Sequence, residues 1–137
     1  MPVPPSYHAA RRASALIDLS ARGRIAVGGD ERASYLQGLL TNDIEALSSG
    51  DGCYSAYLTP QGKYLHDFFL FEVSGILYLD CEAGRRDDLM RRLTMYRLRS
   101  KVTIEEGERR FAIFALIGDG AAGAAGLGGA PGAAGPF

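Results

Sequence analysis

Two aspartates in neighbouring predicted strands are the residues of this chain with the clearest potential for chemistry. Asp67 stands in the run Y-L-H-D-F-F-L-F-E-V, and Asp80 stands in I-L-Y-L-D-C. Side chains alternate along a strand, and a two-residue turn at Ser74-Gly75 would pair Phe69 with Asp80. We therefore expect Asp67 and Asp80 on the same face of a sheet, between aromatic rings.

Carboxylates in such surroundings need hydrogen-bond donors, because burying an unpaired charge costs more than the packing around it contributes. The same register pairs Phe71 with Tyr78 and extends the aromatic surface. A pterin ring offers a flat face for stacking, with an N–H and an amino group on one edge that carboxylates accept. Two alternatives stay open: Asp67 pairs with an arginine between residues 85 and 99, or acids at these strand ends are solvated.

Three further residues are candidates for the walls of such a pocket. Leu36 and Leu40 lie four apart on a predicted helix, a spacing that by default indicates core packing. Only their position just before Thr41-Asn42-Asp43 suggests a pocket wall. Tyr54 lies in a predicted strand, where an aromatic side chain more often packs in a core than touches a ligand.

Other kinds of site are disfavoured by residue spacing. Cys53 and Cys81 lack the C-x-x-C spacing of zinc and iron-sulfur sites, so we expect free thiols in a reducing compartment. His66 points to the face opposite Asp67 and has no second histidine near it, which argues against a metal. The glycines form neither G-x-G-x-x-G nor a P-loop, so no phosphate cradle is indicated.

Charge and hydropathy restrict the partners. A formal net charge of -1 and a pI near 6.1 provide no general attraction for nucleic acid. No apolar run approaches the roughly 20 residues that span a bilayer, and the first residues do not resemble a secretory signal. We expect a cytoplasmic location. A mitochondrial matrix location stays open for a eukaryotic source, with Arg11 and Arg12 favouring a presequence and the early prolines opposing one.

The coarse pattern predicts an α+β fold, with a mostly antiparallel sheet and two amphipathic helices. Residues 16–20 and 24–28 read as a hairpin. A helix capped by Asp30 follows, with Leu36 and Leu40 on its apolar face, and a second helix is predicted over residues 85–97 with Leu89, Leu93 and Tyr96 on one stripe. The remaining predicted strands are residues 53–58, 64–73, 76–81, 101–105 and 110–117.

The composition changes at residue 118. Beyond it the chain is almost entirely glycine and alanine, which cannot bury enough apolar surface to offset the ordering entropy. We expect a domain over residues 1–117 and a flexible tail or linker over residues 118–137. A domain followed only by a linker suggests a fragment of a longer protein.

Several blocks between residues 16 and 105 carry a family resemblance through their order and spacing. They include Y-L-Q-G-L-L-T-N-D, L-T-P-Q-G-K-Y-L-H-D, L-Y-L-D-C-E and M-Y-R-L-R-S-K-V-T-I. The chain resembles the N-terminal part of the YgfZ-like folate-binding proteins of iron-sulfur cluster assembly, which are relatives of the glycine-cleavage T-protein, an aminomethyltransferase. The last block is particularly similar to the iron-sulfur branch.

The resemblance implies roles for individual residues. Asp67 falls where the aminomethyltransferases carry an aspartate that contacts the reactive edge of tetrahydrofolate, and Asp80 falls where they have an asparagine that contacts the pterin. Tyr54 matches a tyrosine beside the folate, Leu36 and Leu40 match apolar residues that flank the ring, and Phe71 takes an aromatic wall position. His66 stands where a second aspartate is usual, which puts methylene transfer in doubt.

The resemblance also implies a function. It is that of a protein that binds tetrahydrofolate or a derivative and assists the maturation of iron-sulfur enzymes, without an assigned catalytic residue. Its implied partners are folate and either iron-sulfur assembly proteins or client enzymes. The family signature K-G-C-Y-x-G-Q-E is missing, and Cys53 in G-D-G-C-Y is not assigned its role. A true aminomethyltransferase and a non-catalytic interaction module stay open as alternatives.

Overall fold

The computed structural model describes residues 2–107 and 111–124. The chain divides into two compact units, one formed by Met1–Ala21 with Ala112–Phe137 and the other by Arg22–Phe111. This division falls inside the region predicted as one domain, whose boundary at residue 117 stays a prediction. The helices are α1 (Pro5–Arg12), α2 (Arg32–Gln37), α3 (Arg86–Tyr96) and α4 (Ala121–Ala124). The strands are β1 (Ala15–Asp18), β2 (Gly23–Gly28), β3 (Gly52–Leu58), β4 (Tyr64–Val73), β5 (Ile76–Cys81), β6 (Thr103–Glu106) and β7 (Phe114–Ile117).

In the first unit, β1 pairs antiparallel with β7 as a two-stranded sheet. The hairpin predicted between residues 16–20 and 24–28 is therefore wrong. The second of those segments is β2, and both of its edges are already occupied by β5 and β6. Helix α1 was not predicted, because it is short and has no buried residue. Of the predicted tail, residues 121–124 form α4, and residues 125–137 lie outside the described part of the chain.

The second unit is built on a five-stranded antiparallel sheet with the order β3-β4-β5-β2-β6. The β4–β5 hairpin has the predicted register, with Phe69 opposite Asp80 and Phe71 opposite Tyr78. Ser74 and Gly75 close it with φ angles of 52° and 80°. Positive φ at both central positions matches the right-handed twist of the strands, as in type I′ hairpins.

One face of this sheet carries the core. Residues of β4 and β5 that alternate inward, such as Phe68, Leu70 and Leu79, pack with Leu89 and Leu93 of α3. The predicted stripe on α3 is confirmed for both of these leucines, whereas Tyr96 is exposed because the helix ends there. The opposite face carries Tyr54, Phe69, Asp80 and Arg24 in one row across four strands.

The start of α2 differs from the prediction. The helix begins at Arg32, and Glu31, rather than Asp30, occupies the N-cap position without a side-chain capping bond. Glu31 Oε2 instead accepts a hydrogen bond of 2.6 Å from the backbone N–H of Lys101. After the helix, Thr41 exchanges hydrogen bonds with Ala56, which docks the Thr41-Asn42-Asp43 segment onto β3.

Candidate functional site

Asp67 lies at the centre of a small tyrosine cluster on the open face of the sheet. Tyr54 on β3 donates its hydroxyl to Asp67 Oδ2, and Tyr64 donates to Asp67 Oδ1 at 2.5 Å. These bonds from Tyr54 and Tyr64 lower the pKa of the Asp67 carboxyl, and the bond to Asp67 raises the pKa of each tyrosine. Asp67 is therefore held as a carboxylate with two neutral donors.

A β-bulge brings Tyr64 into this cluster. The register between β3 and β4 runs from Tyr57 opposite His66 to Leu58 opposite Tyr64, so Leu65 is an extra residue on β4. Leu65 packs against the core beside its neighbour His66. Tyr64 is consequently turned to the face of Asp67, whereas simple alternation would place it on the other face.

Asp80 has a different environment, although it shares the face of Asp67. It is 2% exposed, and Arg22 donates from Nε to its Oδ2 at 2.7 Å and from Nη2 to its backbone oxygen at 3.1 Å. Within the described residues, Asp80 Oδ1 is buried and has no hydrogen-bond partner. Burial raises the pKa of the Asp80 carboxyl, and Arg22 opposes that shift.

A cleft of about 400 Å³ opens beside Asp67. It contains two of the candidate residues, Tyr54 and Asp67, and Arg22 connects its wall to Asp80. Its lining combines aromatic rings with charges of both signs: Arg22, Tyr54, His66, Asp67, Phe68, Phe69, Cys81, Glu82 and Arg85.

The other three candidates lie elsewhere in the second unit. Leu36 is fully buried in the core, and Leu40 is partly buried and forms a backbone bridge to Tyr57. Phe71 stacks on Tyr78, with the ring centroids 5.7 Å apart, and contacts the edge of Phe111. The structure therefore gathers Tyr54, Asp67 and Asp80 in one region, while these three residues support the sheet around it.

His66 points away from the tyrosine cluster, as alternation along β4 predicts. Its side chain is buried, and its Nε2 lies 2.8 Å from Asp88 Oδ2. Arg92 also bonds Asp88 Oδ2, at 2.7 Å, and Arg91 bonds Oδ1. The hydrogen bonds from Arg92, His66 and Arg91 hold the pKa of Asp88 well below its usual range. This cluster ties α3 to β4 on the core side.

Sequence reasoning missed several cleft residues. Arg22 reaches Asp80 from 58 positions away, and no local pattern links the two. Phe69 was placed on the correct face but not assigned to the site. Arg85 was counted as the start of a helix, whereas it lies in the 3₁₀ turn Ala83–Arg85, over the ring of Tyr64. A charged turn directly after the Asp80 strand was the signal that could have indicated Glu82 and Arg85.

The sequence matches a protein family model described as the GCVT N-terminal domain over residues 3–124. The chain belongs to this family. The predicted resemblance to T-protein-related proteins is therefore confirmed.

Curated relatives of this GCVT N-terminal domain include iron-sulfur cluster assembly factors and aminomethyltransferases. The mitochondrial iron-sulfur cluster assembly factor IBA57 homolog of Chaetomium globosum is 33% identical, covering 69% of this chain and 27% of the relative. The human mitochondrial iron-sulfur cluster assembly factor IBA57 is 35% identical, and the match covers 64% of this chain and 28% of that protein. The aminomethyltransferase of Bacillus subtilis is 36% identical, and the match covers 53% of this chain and 20% of that protein. The chain spans about a quarter of the length of such relatives.

A solved structure resembles this GCVT N-terminal domain. The glycine cleavage system aminomethyltransferase T of Bartonella henselae has a TM-score of 0.75 and 26% identity, covering 96% of this chain and 36% of that one. The predicted α+β fold with a mostly antiparallel sheet is confirmed.

Both cysteines of the domain, Cys53 and Cys81, are free thiols. Burial raises the pKa of Cys53. Among the described residues, no group of three histidine, cysteine, aspartate or glutamate side chains is placed to hold a metal ion. None of the helices in the described part of the chain is long and apolar enough to cross a membrane.

Proposed function

We propose that this domain binds tetrahydrofolate or a derivative in the cleft beside Asp67, within a protein that assists iron-sulfur cluster assembly. The observation that carries the proposal is the pair of hydroxyls on Asp67, which keeps a carboxylate ionised next to aromatic rings in an open cleft. Catalysis is not part of the proposal, and no residue is assigned a catalytic role.

The chemistry of Asp67 fits the edge of a pterin. An ionised carboxylate has about four acceptor positions, and Tyr54 and Tyr64 use two of them. The remaining positions suit the paired N–H and amino donors of a pterin ring. Because the carboxylate is already held by two bonds, little side-chain freedom is lost when a ligand binds.

The surroundings of Asp67 supply stacking surface and a second acceptor. Tyr54 and Phe69 pack with ring centroids 5.4 Å apart, and both are exposed to solvent. A flat ring that covers them removes apolar surface from water. Asp80 is the cross-strand neighbour of Phe69, and its Oδ1 has no donor among the described residues, so it is a second acceptor for a ligand donor.

The wall residues that the resemblance implied lie outside the cleft and support the sheet around it. Leu36 and Leu40 pack α2 and the segment after it against the sheet. Phe71 stacks on Tyr78, next to Phe69 along β4. Direct contact of Leu36 with folate requires the core to open. We therefore assign ligand contact to Tyr54, Asp67 and Asp80 and add Phe69 and Arg22.

Relatives named as iron-sulfur cluster assembly factors favour an assembly role over a metabolic one. In this role the domain contributes folate binding, while iron-sulfur assembly proteins or client enzymes are the partners. A mitochondrial location follows for a eukaryotic source, as in those relatives' names, and a cytoplasmic one otherwise.

A folate-dependent aminomethyltransferase is the second candidate, favoured by the Bacillus subtilis and Bartonella henselae proteins. The residue that argues against it from the sequence is His66. Histidine carries no carboxylate, and the His66 side chain faces the core and pairs with Asp88, so this position gives the cleft no second acid. An assay of folate-dependent methylene transfer separates the two functions. The interaction-module alternative predicted an arginine on Asp67, and the tyrosine donors disfavour it.

The proposal is tested by calorimetric titration of the chain with tetrahydrofolate. We expect Asp67→Ala to weaken binding by roughly 1 to 3 kcal/mol, the usual cost of leaving a buried donor unpaired. Asp30→Ala, which removes an exposed acid outside the cleft, is the matched control and should bind like the wild type. Equal affinity in all three proteins would remove Asp67 from the site. For the assembly role, iron-sulfur enzyme activity in cells lacking the protein should be restored by wild type and not by Asp67→Ala.

A further inference from the structure

A second surface lies at the end of α3 and is separate from the cleft residues. It comprises residues 95–101 and is called here the 95–101 surface. Three large apolar side chains are exposed there: Met95 at 63%, Tyr96 at 48% and Leu98 at 86%. Leu89 and Leu93, nearer the start of the same helix, are fully buried, so the apolar character changes from core to solvent within two turns.

The backbone of this surface is fixed. Ser100 N–H donates to Arg97 O at 2.8 Å, and Lys101 N–H donates to Glu31 Oε2 at 2.6 Å. Leu98 is held at a φ of 41°, in the left-handed region that residues other than glycine seldom adopt. Backbone strain of this kind accompanies functional sites, because the surrounding contacts must maintain it. Here those contacts present the Leu98 side chain to solvent.

The basic side chains of the 95–101 surface differ from the arginines of α3 in whether they form ion pairs. Among the described residues, none forms an ion pair with the side chains of Arg97, Arg99 or Lys101. By contrast, Arg91 and Arg92 of α3 both bond Asp88. The charges of the two α3 arginines are therefore used by Asp88, whereas Arg97 and Arg99 flank the exposed Leu98 in sequence and Lys101 follows three residues after it.

We propose that the 95–101 surface docks an acidic segment of a partner protein that also carries an apolar residue. The cations attract the acidic side chains, and Leu98 with Met95 buries apolar area against the partner. A wide, open depression lined by Glu31, Leu98, Arg99 and Ser100 gives that residue a place to pack. Glu31 in this lining already accepts a hydrogen bond from Lys101 N–H, which joins it to the backbone of the 95–101 surface.

Two other anionic partners fit this surface less well. A polyglutamate chain matches the cations but leaves Leu98 and Met95 in water. Nucleic acid binding depends on a broad basic field together with stacking aromatics; the net charge of -1 provides no such field, and Tyr96 is one exposed ring. The combination of an exposed leucine with three cations favours a protein segment of mixed acidic and apolar character.

The test is selection of random peptides displayed on phage against the chain, followed by anisotropy titrations with the selected peptides as synthetic probes. We expect the selected peptides to combine aspartate or glutamate with leucine, isoleucine or phenylalanine. Leu98→Gly should weaken their binding about tenfold, as for a central interface residue. Glycine adopts the φ of residue 98 without strain, so this variant removes the side chain and keeps the fold.

Control variants and probes determine the outcome. Arg99→Ser with Lys101→Ser should weaken the same peptides and lower the salt dependence of binding, whereas Arg12→Ser, at an exposed site on α1, should not. A Glu-only peptide and a single-stranded oligonucleotide should bind at least about tenfold less tightly. Selection of peptides lacking acids or apolar residues, equal binding by Leu98→Gly, or preference for either control probe overturns the proposal. Folate titration of Leu98→Gly separates this surface from the cleft, because folate affinity should be unchanged.

Discussion

Arg22 Nε lies 2.7 Å from Asp80 Oδ2 and holds a carboxylate that is almost completely buried. Asp67, on the same face, is held instead by two tyrosine hydroxyls. The two aspartates that the sequence singled out therefore have different roles in the fold. Asp80 and Arg22 fix the wall of the cleft, while Asp67 faces the space beside it.

Replacing Arg22 tests the structural role of this pair. Arg22→Ala leaves Asp80 buried and removes the donor of its Oδ2, so we expect a loss of about 2 to 3 kcal/mol in the free energy of unfolding. The estimate is at the low end for a buried charge because the Arg22 side chain is 34% exposed. Urea denaturation measures it. Adding Asp80→Asn to Arg22→Ala should recover part of the loss, and additive losses would contradict a direct pair.

Gly29 tests the backbone that supports the 95–101 surface. A Cβ at Gly29 would lie 2.2 Å from Lys101 O, at a φ of 101°. We expect Gly29→Ala to lower the free energy of unfolding by at least about 2 kcal/mol, since strain and a backbone clash combine. Gly62→Ala is the matched control, with a φ of 80° and no atom within 4 Å of its Cβ, and should lose only about 1 to 2 kcal/mol. Equal losses in urea denaturation would show that the contact with Lys101 is unimportant.

The hydrogen bonds on Asp67 predict a pH dependence of stability. Tyr54 and Tyr64 lower its pKa in the folded state below the unfolded value near 3.8, so the stabilising contribution is complete above that value. It is lost as the pH falls through the folded-state pKa. Asp67→Asn should therefore show a smaller loss of stability than the wild type below about pH 4. Denaturation midpoints across that range measure the effect. Asp30→Asn should follow the wild type, and a curve for Asp67→Asn that does the same would show that the bonds add no stability.

The β4–β5 hairpin was predictable because its information is local. Alternation along β4 and the Ser74-Gly75 turn fix which side chains meet, and Phe69 does lie opposite Asp80. The same alternation correctly placed His66 on the face away from Asp67. Both results depend on only a few neighbouring residues.

Long-range and irregular features were not predictable in the same way. The bulge at Leu65 that turns Tyr64 toward Asp67 has no glycine or proline to mark it. Arg22 falls between the two segments of the wrongly predicted hairpin, because local sequence does not reveal that β2 lies beside β5. The donors of both aspartates depend on which strands pair with each other. Periodicity describes one segment at a time and therefore does not predict these donors.

The central claim is that a folate pterin binds over Asp67 on the open face of the sheet. Backbone amide shifts of the isotope-labelled chain, followed by NMR during titration with tetrahydrofolate, test it most directly. We predict saturable shifts that are largest at Tyr54, Asp67 and Phe69, with small changes at the 95–101 surface. Saturable shifts centred on Leu36 and Leu40 or on the 95–101 surface, with Asp67 unmoved, would contradict it.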